Sequence, residues 1–256
     1  MSEPTVTKPK GQSDHRSRLY ERYVTQHLHS DVENLRQSLT APQPYLERLI
    51  REHLPEDRDA KIVDLGCGYG LLLHVLRSKG YRNLAGIETS AEQVAAAQQL
   101  GVTCVRQGDL VETLSNAAPG SFDVIFAFDV IEHFTKDEVL NIFQHVQRSL
   151  KTNGTFVLHV PNGEAIFPGR IFFGDFTHQV AFTVRSMQQI AAYAGFDEVR
   201  CYEDKPVVHG PISAVRGFLW WAARTGYRFL NMVETGDTGR ELILTQNLLA
   251  VLQKTK

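Results

Sequence analysis

The stretch KIVDLGCGYG, residues 61–70, decides the fold. Its apolar run at 62–65 is typical of a buried strand, and three glycines follow at alternate positions (Gly66, Gly68 and Gly70). The next segment, LLLHVLRSKG at 71–80, has the pattern of an apolar helix that ends at a glycine. The stretch therefore predicts a strand, a tight turn with exposed backbone, and a helix, which together begin a βαβ unit.

The spacing of the glycines separates two kinds of ligand. A dinucleotide-binding loop reads G-x-G-x-x-G, and this stretch does not. Asp64 precedes the first glycine by two positions, where a carboxylate would repel a pyrophosphate but attract an ammonium group. S-adenosylmethionine (SAM) carries an ammonium and a sulfonium and no phosphate, so the loop favours SAM. By itself, the loop is also compatible with a structural turn of an unrelated α/β domain.

Composition is that of an ordinary globular enzyme. The chain has 256 residues, 43% hydrophobic and 22% charged, and a net charge of -2, which provides no basic field for nucleic acid. Its cysteines lack metal-ligand spacing, so neither a metal site nor a disulfide framework is predicted (Cys67, Cys104 and Cys201). Residues 1–18 are polar and lack the apolar core of a secretory signal, so we expect a flexible tail and a cytoplasmic protein.

Strand and helix patterns alternate after the glycine loop, which predicts a parallel sheet covered on both faces. The predicted strands are YRNLAGIETS (81–90), VTCVRQGDL (102–110), FDVIFAFDV (122–130) and TFVLHVPN (155–162). Capping boxes are predicted at Ser90 with Gln93 and at Thr135 with Glu138. KTNG at 151–154 is predicted as a turn.

Acidic residues stand at or just beyond the ends of these strands, where open parallel sheets bind their ligands. They are Asp64, Glu88, Asp109 and Asp129, and His133 follows the last of them. Glu88 suits a carboxylate that accepts hydrogen bonds from both ribose hydroxyls, and Asp109 could receive the exocyclic amine of adenine. Each acid alone could also be a solvated loop residue or a helix cap.

Four motifs in order, DLGCGYG, GIETS, QGDL and FDVIFAFDVIEHF, resemble those of the class I SAM-dependent methyltransferases across about residues 60–196. The resemblance implies a Rossmann-like, mostly parallel seven-stranded sheet with helices on both faces and one reversed strand supplied by ELILTQNLLAVLQK. It implies that Asp64, Gly66, Cys67 and Gly68 line the methionine part of SAM, that Glu88 and Thr89 hold the ribose, that Gly108, Asp109 and Leu110 flank the adenine, and that Ala127 and Phe128 lie under the methionine.

We expect a single methyltransferase domain over residues 19–256. N-terminal helices at 19–58 form a cap, residues 60–205 form the SAM-binding core, a helical insertion occupies 206–240, and the last strand lies within 241–256. The insertion can form a helix whose arginines (Arg216, Arg224 and Arg228) share one arc opposite an apolar arc. Such a helix could cover the sheet or the active site, join two copies in a homodimer, or contact a membrane surface or a lipid-linked substrate through 212–233.

The acceptor is predicted from two further segments. VIEHF resembles the small-molecule branch that includes ubiquinone-biosynthesis O-methyltransferases, and residues 159–196 resemble bacterial methyltransferases found with polysaccharide genes. His133 and His178 are candidate bases, with Glu132 and Asp175 as candidate orienting groups. Either histidine could instead be a structural side chain, and His159 fits that role better still.

These features predict methyl transfer to a small-molecule or carbohydrate acceptor, most simply at a hydroxyl oxygen and without a metal ion. A quinone or lipophilic phenol is the alternative acceptor. A SAM-binding regulatory protein without turnover is the alternative from another class.

Overall fold

The structure, a computed structural model, describes residues 32–41, 43–205, 210–239 and 241–256. The predicted tail at 1–18 lies outside the described residues, as does the beginning of the predicted N-terminal cap. The first half of the described chain contains α1 (Val32–Thr40), α2 (Pro44–His53), β1 (Lys61–Leu65), α3 (Leu71–Ser78), β2 (Asn83–Glu88), α4 (Ala91–Gln99), β3 (Val105–Gln107), α5 (Leu110–Asn116) and β4 (Phe122–Phe128). The second half contains a 3₁₀ turn (Ile131–His133), α6 (Lys136–Ser149), β5 (Leu150–Pro161), α7 (Pro168–Phe172), α8 (Val184–Ala194), β6 (Glu198–Glu203), α9 (Pro211–Thr235) and β7 (Asn247–Gln253).

The seven strands form one sheet in the order β3-β2-β1-β4-β5-β7-β6. Strand β7 is antiparallel to both of its neighbours, and the remaining described pairs are parallel. The predicted Rossmann-like sheet with one reversed strand is therefore confirmed. Because the chain runs outward from β1 to β3 and then returns to place β4 beside β1, the switch point lies between β1 and β4, where a ligand crevice forms.

Apolar residues cover both faces of the sheet. Strand β4 is fully buried from Val124 to Ala127. On one face of the sheet, Ile125 and Ala127 belong to a core cluster that includes residues of α5, α6 and α8. On the opposite face, Val124 and Phe126 belong to a second cluster that includes residues of α2 and α3. Burying a side chain such as Phe126 contributes about 2 to 3 kcal/mol. This double cover is why β4 reads as an almost unbroken apolar run.

Several element boundaries differ from the predicted ones. Strand β3 ends at Gln107 because Asp109 already caps α5. KTNG is not a separate turn but a bulge within β5: Phe122 pairs with Leu150 and Val124 with Thr155, so the residues between them are displaced from the ladder. Strand β7 begins only at Asn247.

Two of the predicted helix starts have their caps. At Ser90, the side chain accepts a hydrogen bond from the Gln93 amide, without the reciprocal half of the predicted box. At Thr135, both halves of the box with Glu138 form. Each such cap stabilises its helix by about 1 kcal/mol.

Candidate functional site

The glycine loop has a left-handed backbone at its first positions. Gly66 and Gly68 have φ angles of 68° and 55°. The Gly66 and Cys67 amides both donate to the Ile87 carbonyl, at 2.8 and 3.1 Å, which holds the loop across the end of β2. A Cβ atom on Gly66 would stand 2.3 Å from Val130 Cγ2, so only glycine fits there.

Glu88 connects the loop to the start of α4. Its Oε2 accepts from the Gly68 amide at 2.9 Å, and its Oε1 accepts from the Ser90 amide at 2.8 Å. Each carboxylate oxygen has two lone pairs, so both can accept a further hydrogen bond from a ribose hydroxyl. The structure thus places Glu88 beside the glycine loop, and its carboxylate can still accept the hydrogen bonds predicted from the ribose hydroxyls.

Asp64 lies within β1 with 3% of its surface exposed. Burial, followed by the charge of Glu88, raises the pKa of Asp64 to about 7. A nearby cation would favour the ionised form. Burial also raises the pKa of the Cys67 thiol, with Asp64 and Glu88 adding to the shift, so this thiol stays protonated.

The predicted adenine contacts follow β3. The Gly108 amide donates to the Glu88 carbonyl at 3.0 Å, and Thr89 Oγ1 donates to the Gly108 carbonyl at 3.5 Å. Asp109 Oδ1 accepts from the Glu112 amide at 2.9 Å, which makes Asp109 the N-cap of α5, while Leu110 is buried. The residues predicted to contact adenine therefore follow β3 beside Glu88, and their contact with a nucleoside stays a prediction.

Gln93 is a residue that sequence reasoning missed. Its side chain is buried, and its Oε1 has no hydrogen-bond partner among the described residues. The same oxygen lies 3.4 Å from where a Cβ on Gly68 would stand. Its sequence position predicted only a capping contact, because a spacing rule does not reveal which way an amide points.

The end of β4 presents a charged group in strained backbone. Ala127 is fully buried and Phe128 is half-buried. Asp129 follows with φ 52°, its side chain 62% exposed, and its Oδ1 lies 2.8 Å from His159 Nδ1. His159 Nε2 lies 3.3 Å from Asp204 Oδ2. Burial opposes a charge on His159, but the two carboxylates outweigh it and raise its pKa to about 10, so His159 is the counter-ion of Asp129.

The aromatic connection after β5 folds onto the turn after β4. The amides of Gln179 and Val180 donate to the Glu132 carbonyl at 2.8 and 3.2 Å. This pairing brings the rings of His133 and His178 to a centroid separation of 4.7 Å. The structure therefore brings together the two candidate bases, which lie on different connections of the sheet.

Asp175 is connected to His133 through Thr177, which sequence reasoning missed. Thr177 Oγ1 donates to Asp175 Oδ1 at 2.6 Å and lies 2.8 Å from His133 Nδ1. Since the hydroxyl has one proton, His133 Nδ1 donates to Thr177 and its Nε2 carries the lone pair when the ring is neutral. Partial burial opposes ionisation of Asp175, but the hydrogen bonds from Thr177 outweigh it and hold its pKa below the ordinary value.

Glu132 is the buried acid of this cluster, with 1% of its surface exposed. Burial, followed by the charge of Asp129, raises the pKa of Glu132 to about 8. Its Oε1 lies 3.9 Å from His178 Nε2, and its Oε2 has no hydrogen-bond partner among the described residues. His178 Nδ1 lies 3.1 Å from the Phe172 carbonyl, which fixes the ring.

Ligand atoms of Glu132, His133 and His178 all lie within 4.8 Å of one another. This arrangement could hold a metal ion, whereas the sequence predicted no metal site. The sequence gives no spacing signal for it because His178 reaches the cluster only through the folding of a later connection.

Helix α9 is held against the end of β6 by ion pairs, and it exposes apolar side chains on its other side. Arg224 pairs with Glu203 at the end of β6, and Arg228 lies 3.6 Å from the same carboxylate. The third predicted arginine, Arg216, instead lines an apolar groove of about 670 Å³ beside Phe167. Large apolar side chains on the outward arc are mostly more than half exposed: Ile212, Val215, Phe218, Leu219, Trp221, Phe229, Leu230 and Val233. The apolar arc of α9 thus does not cover the sheet within this chain.

Among the described residues, no helix is both long enough and apolar enough to cross a bilayer.

Comparison with known proteins gives matches along most of the described core. A family model described as "Methyltransferase domain" matches residues 35–201. Cyclopropane-fatty-acyl-phospholipid synthase of Escherichia coli (strain K12) is 33% identical over 135 residues, covering 50% of this chain and 32% of that protein. Ubiquinone biosynthesis O-methyltransferase of Idiomarina loihiensis is 29% identical over 98 residues, covering 37% of this chain and 39% of that protein. The chain thus spans about a third of the length of these relatives.

Solved structures match the fold more completely. A SAM-dependent methyltransferase from Archaeoglobus fulgidus superimposes with a TM-score of 0.61 at 17% identity, covering 93% of this chain and 99% of that one. Phosphoethanolamine N-methyltransferase 2 of Haemonchus contortus, solved with SAM, also gives 0.61 at 14% identity, covering 93% of this chain and 60% of that one. With the family model matching more than half of its length, the chain belongs to the methyltransferase domain family and has the class I SAM-dependent methyltransferase fold.

Proposed function

We propose that the protein transfers a methyl group from SAM to a hydroxyl oxygen of a small-molecule or carbohydrate acceptor. The observation that carries this proposal is the cluster of Glu132, His133 and His178 just beyond β4, beside the strand that ends in the glycine loop. A hydroxyl must lose its proton during methylation, and this cluster offers groups that can promote the loss. Family membership and the fold support SAM as the donor.

The chemistry requires few groups. An acceptor oxygen forms a bond to the methyl carbon, the carbon–sulfur bond breaks with its electron pair going to sulfur, and S-adenosylhomocysteine leaves. The hydroxyl proton passes to an imidazole of the cluster or to water. Because the sulfonium is already activated, most of the acceleration comes from positioning and from exclusion of water. The aromatic connection that carries His178 is suited to exclude water.

Labelled SAM, incubated with a panel of sugar nucleotides, glycans and phenols, tests this proposal. We expect a labelled product from a hydroxyl acceptor, and we expect His133→Ala and His178→Ala to retain SAM affinity while at least one lowers kcat by about 10² to 10⁴. His145→Ala, a histidine on α6, is the control and keeps full turnover. Binding of SAM without turnover across the panel would favour a regulatory protein instead.

Helix α9 favours a second candidate, methylation of a quinone, a lipophilic phenol or a lipid-linked acceptor at a membrane surface. Its outward arc and the adjoining groove present contiguous apolar surface, which monomeric soluble proteins rarely expose over large areas. The relative named for ubiquinone biosynthesis supports this class of acceptor.

Flotation with phospholipid vesicles tests the second candidate. We expect the chain to float with vesicles and Phe218→Glu combined with Phe229→Glu to abolish flotation, because charged side chains on the outward arc would enter the lipid interface. Glu234→Gln, a substitution near the end of the same helix, is the control. A wild-type chain that stays in the aqueous fraction, with turnover on soluble glycans alone, would exclude this candidate.

A further inference from the structure

We propose that Glu132, His133 and His178 form a binding site for a divalent transition-metal ion such as Mn²⁺, Co²⁺ or Zn²⁺. Two imidazoles and one carboxylate are a donor set that such ions prefer, whereas Ca²⁺ prefers a set of oxygens. Ligand atoms about 2.1 Å from an ion lie about 3.0 to 3.6 Å apart when three of them surround it. With all three groups within 4.8 Å of one another, the side chains need to close by no more than about 1 to 2 Å.

The second observation in favour of a metal ion is that buried carboxylate oxygens near the site lack hydrogen-bond donors. Glu132 Oε2 is buried without a hydrogen-bond partner among the described residues, and so is Oδ2 of Asp175, the residue that Thr177 connects to His133. A buried carboxylate without a partner is costly, and a cation removes that cost. Asp129 adds a third carboxylate nearby, and the cationic His159 is bonded to Asp129 and Asp204 rather than to Glu132.

The histidines are also oriented as metal ligands usually are. A ligating imidazole generally donates its other ring N–H to a carbonyl or carboxylate. His178 Nδ1 lies 3.1 Å from the Phe172 carbonyl, and His133 Nδ1 reaches Asp175 through the Thr177 hydroxyl. His178 Nε2 lies 3.9 Å from Glu132 Oε1, so this ring already turns its second nitrogen toward the carboxylate.

A bound ion would also define how the acceptor is activated. The ion would supply Lewis acidity, which would make a coordinated hydroxyl of the acceptor lose its proton to water more readily. The two histidines then act as ligands rather than as bases. This role of the ion rests on the proposed function, whereas binding of the ion does not.

The test uses the full chain without a histidine tag, freed of metal by a chelator and titrated with MnCl₂ alone while the electron paramagnetic resonance of free Mn²⁺ is followed. We expect one ion per chain, and we expect Glu132→Gln and His178→Ala to weaken binding at least about tenfold. His145→Ala is the control and binds Mn²⁺ as the wild type does. Absence of Mn²⁺ binding, or equal binding by all four proteins, overturns the proposal.

A second measurement does not depend on the folding of the variants. Pulsed electron paramagnetic resonance of Mn²⁺ bound to the wild type should show ¹⁴N couplings from imidazole, and absence of these couplings overturns the proposal. The two proposals fail separately. Full turnover on a hydroxyl acceptor in excess EDTA would reject a role for the ion in catalysis and support the proposed O-methyltransferase. Mn²⁺ binding without any methylated hydroxyl product would support the ion site and reject the proposed O-methyltransferase.

Discussion

At the scale of single residues, Asp64 connects burial to cofactor binding. Its pKa of about 7 means that half of the ligand-free molecules carry a neutral acid there near neutral pH. An ammonium group binds the ionised form, so binding SAM releases a proton whenever the pH lies below this pKa. Affinity for SAM should therefore rise by up to about tenfold per pH unit as the pH increases from about 5.5 to 7.

Calorimetric titration in buffers of different ionisation enthalpy measures the released proton. Asp64→Asn should bind SAM more weakly and without this pH dependence, because the amide does not titrate. Asp109→Asn is the matched control, since Asp109 is an exposed acid in the same crevice and should keep the pH dependence. An unchanged slope in Asp64→Asn would show that another group titrates on binding.

Gly66 allows a prediction with a close control elsewhere in the chain. Gly66 and Gly120 have nearly equal φ angles of 68° and 67°, but a Cβ on Gly66 would clash with Val130, and a Cβ on Gly120 meets nothing within 4 Å. Alanine at Gly120 should cost only the backbone strain, about 1 to 2 kcal/mol. Alanine at Gly66 should cost more in thermal unfolding and lower the affinity for S-adenosylhomocysteine at least about tenfold. Equal effects at both positions would mean that the Val130 contact does not shape the loop.

At the scale of elements, α9 docks through Glu203, whose side chain is 8% exposed. Glu203→Gln leaves Arg224 largely buried without its counter-charge and should lower the free energy of unfolding by about 3 kcal/mol. Lys205→Gln is the matched control, because Lys205 is 54% exposed and 3.2 Å from the same carboxylate, a pair worth about 0 to 1 kcal/mol. Urea unfolding measures both, and faster amide exchange confined to α9 should accompany Glu203→Gln. Equal losses from the two variants would contradict this account of the docking.

Helix α9 also shows where prediction from sequence stopped. The periodicity of the segment predicts a basic arc opposite an apolar arc, and the structure keeps Arg224 and Arg228, but not Arg216, on the arc that faces Glu203. The periodicity does not indicate which arc faces the protein, because that depends on Glu203, a residue of a different element. The usual expectation that an apolar arc turns inward fails here, since burying two arginines against one carboxylate fixes the opposite orientation.

At the scale of the whole molecule, the motifs in order predicted the strand sequence, the reversed strand and the double cover of β4. These features follow from local apolar runs and from motif spacing along the chain. Thr177, Gln93 and the convergence of His178 on Glu132 could not be predicted, because each depends on how two connections meet in space. The prediction of a separate turn at KTNG was wrong for a related reason. These residues are typical of turns, but pairing with β4 continues on both sides of them, so they form a bulge within one strand.

The strand order has a consequence for synthesis of the chain on the ribosome. Among the described strands, β6 pairs with β7 alone, and β7 lies between β5 and β6 in the sheet but follows both in sequence. Until β7 leaves the exit tunnel, the nascent sheet ends at an open edge of β5, and β6 stays unpaired for several seconds at roughly 5 to 20 residues per second. A nascent chain stalled before β7 should therefore be a substrate for chaperones, and one in which an added C-terminal linker carries β7 out of the tunnel should bind them less.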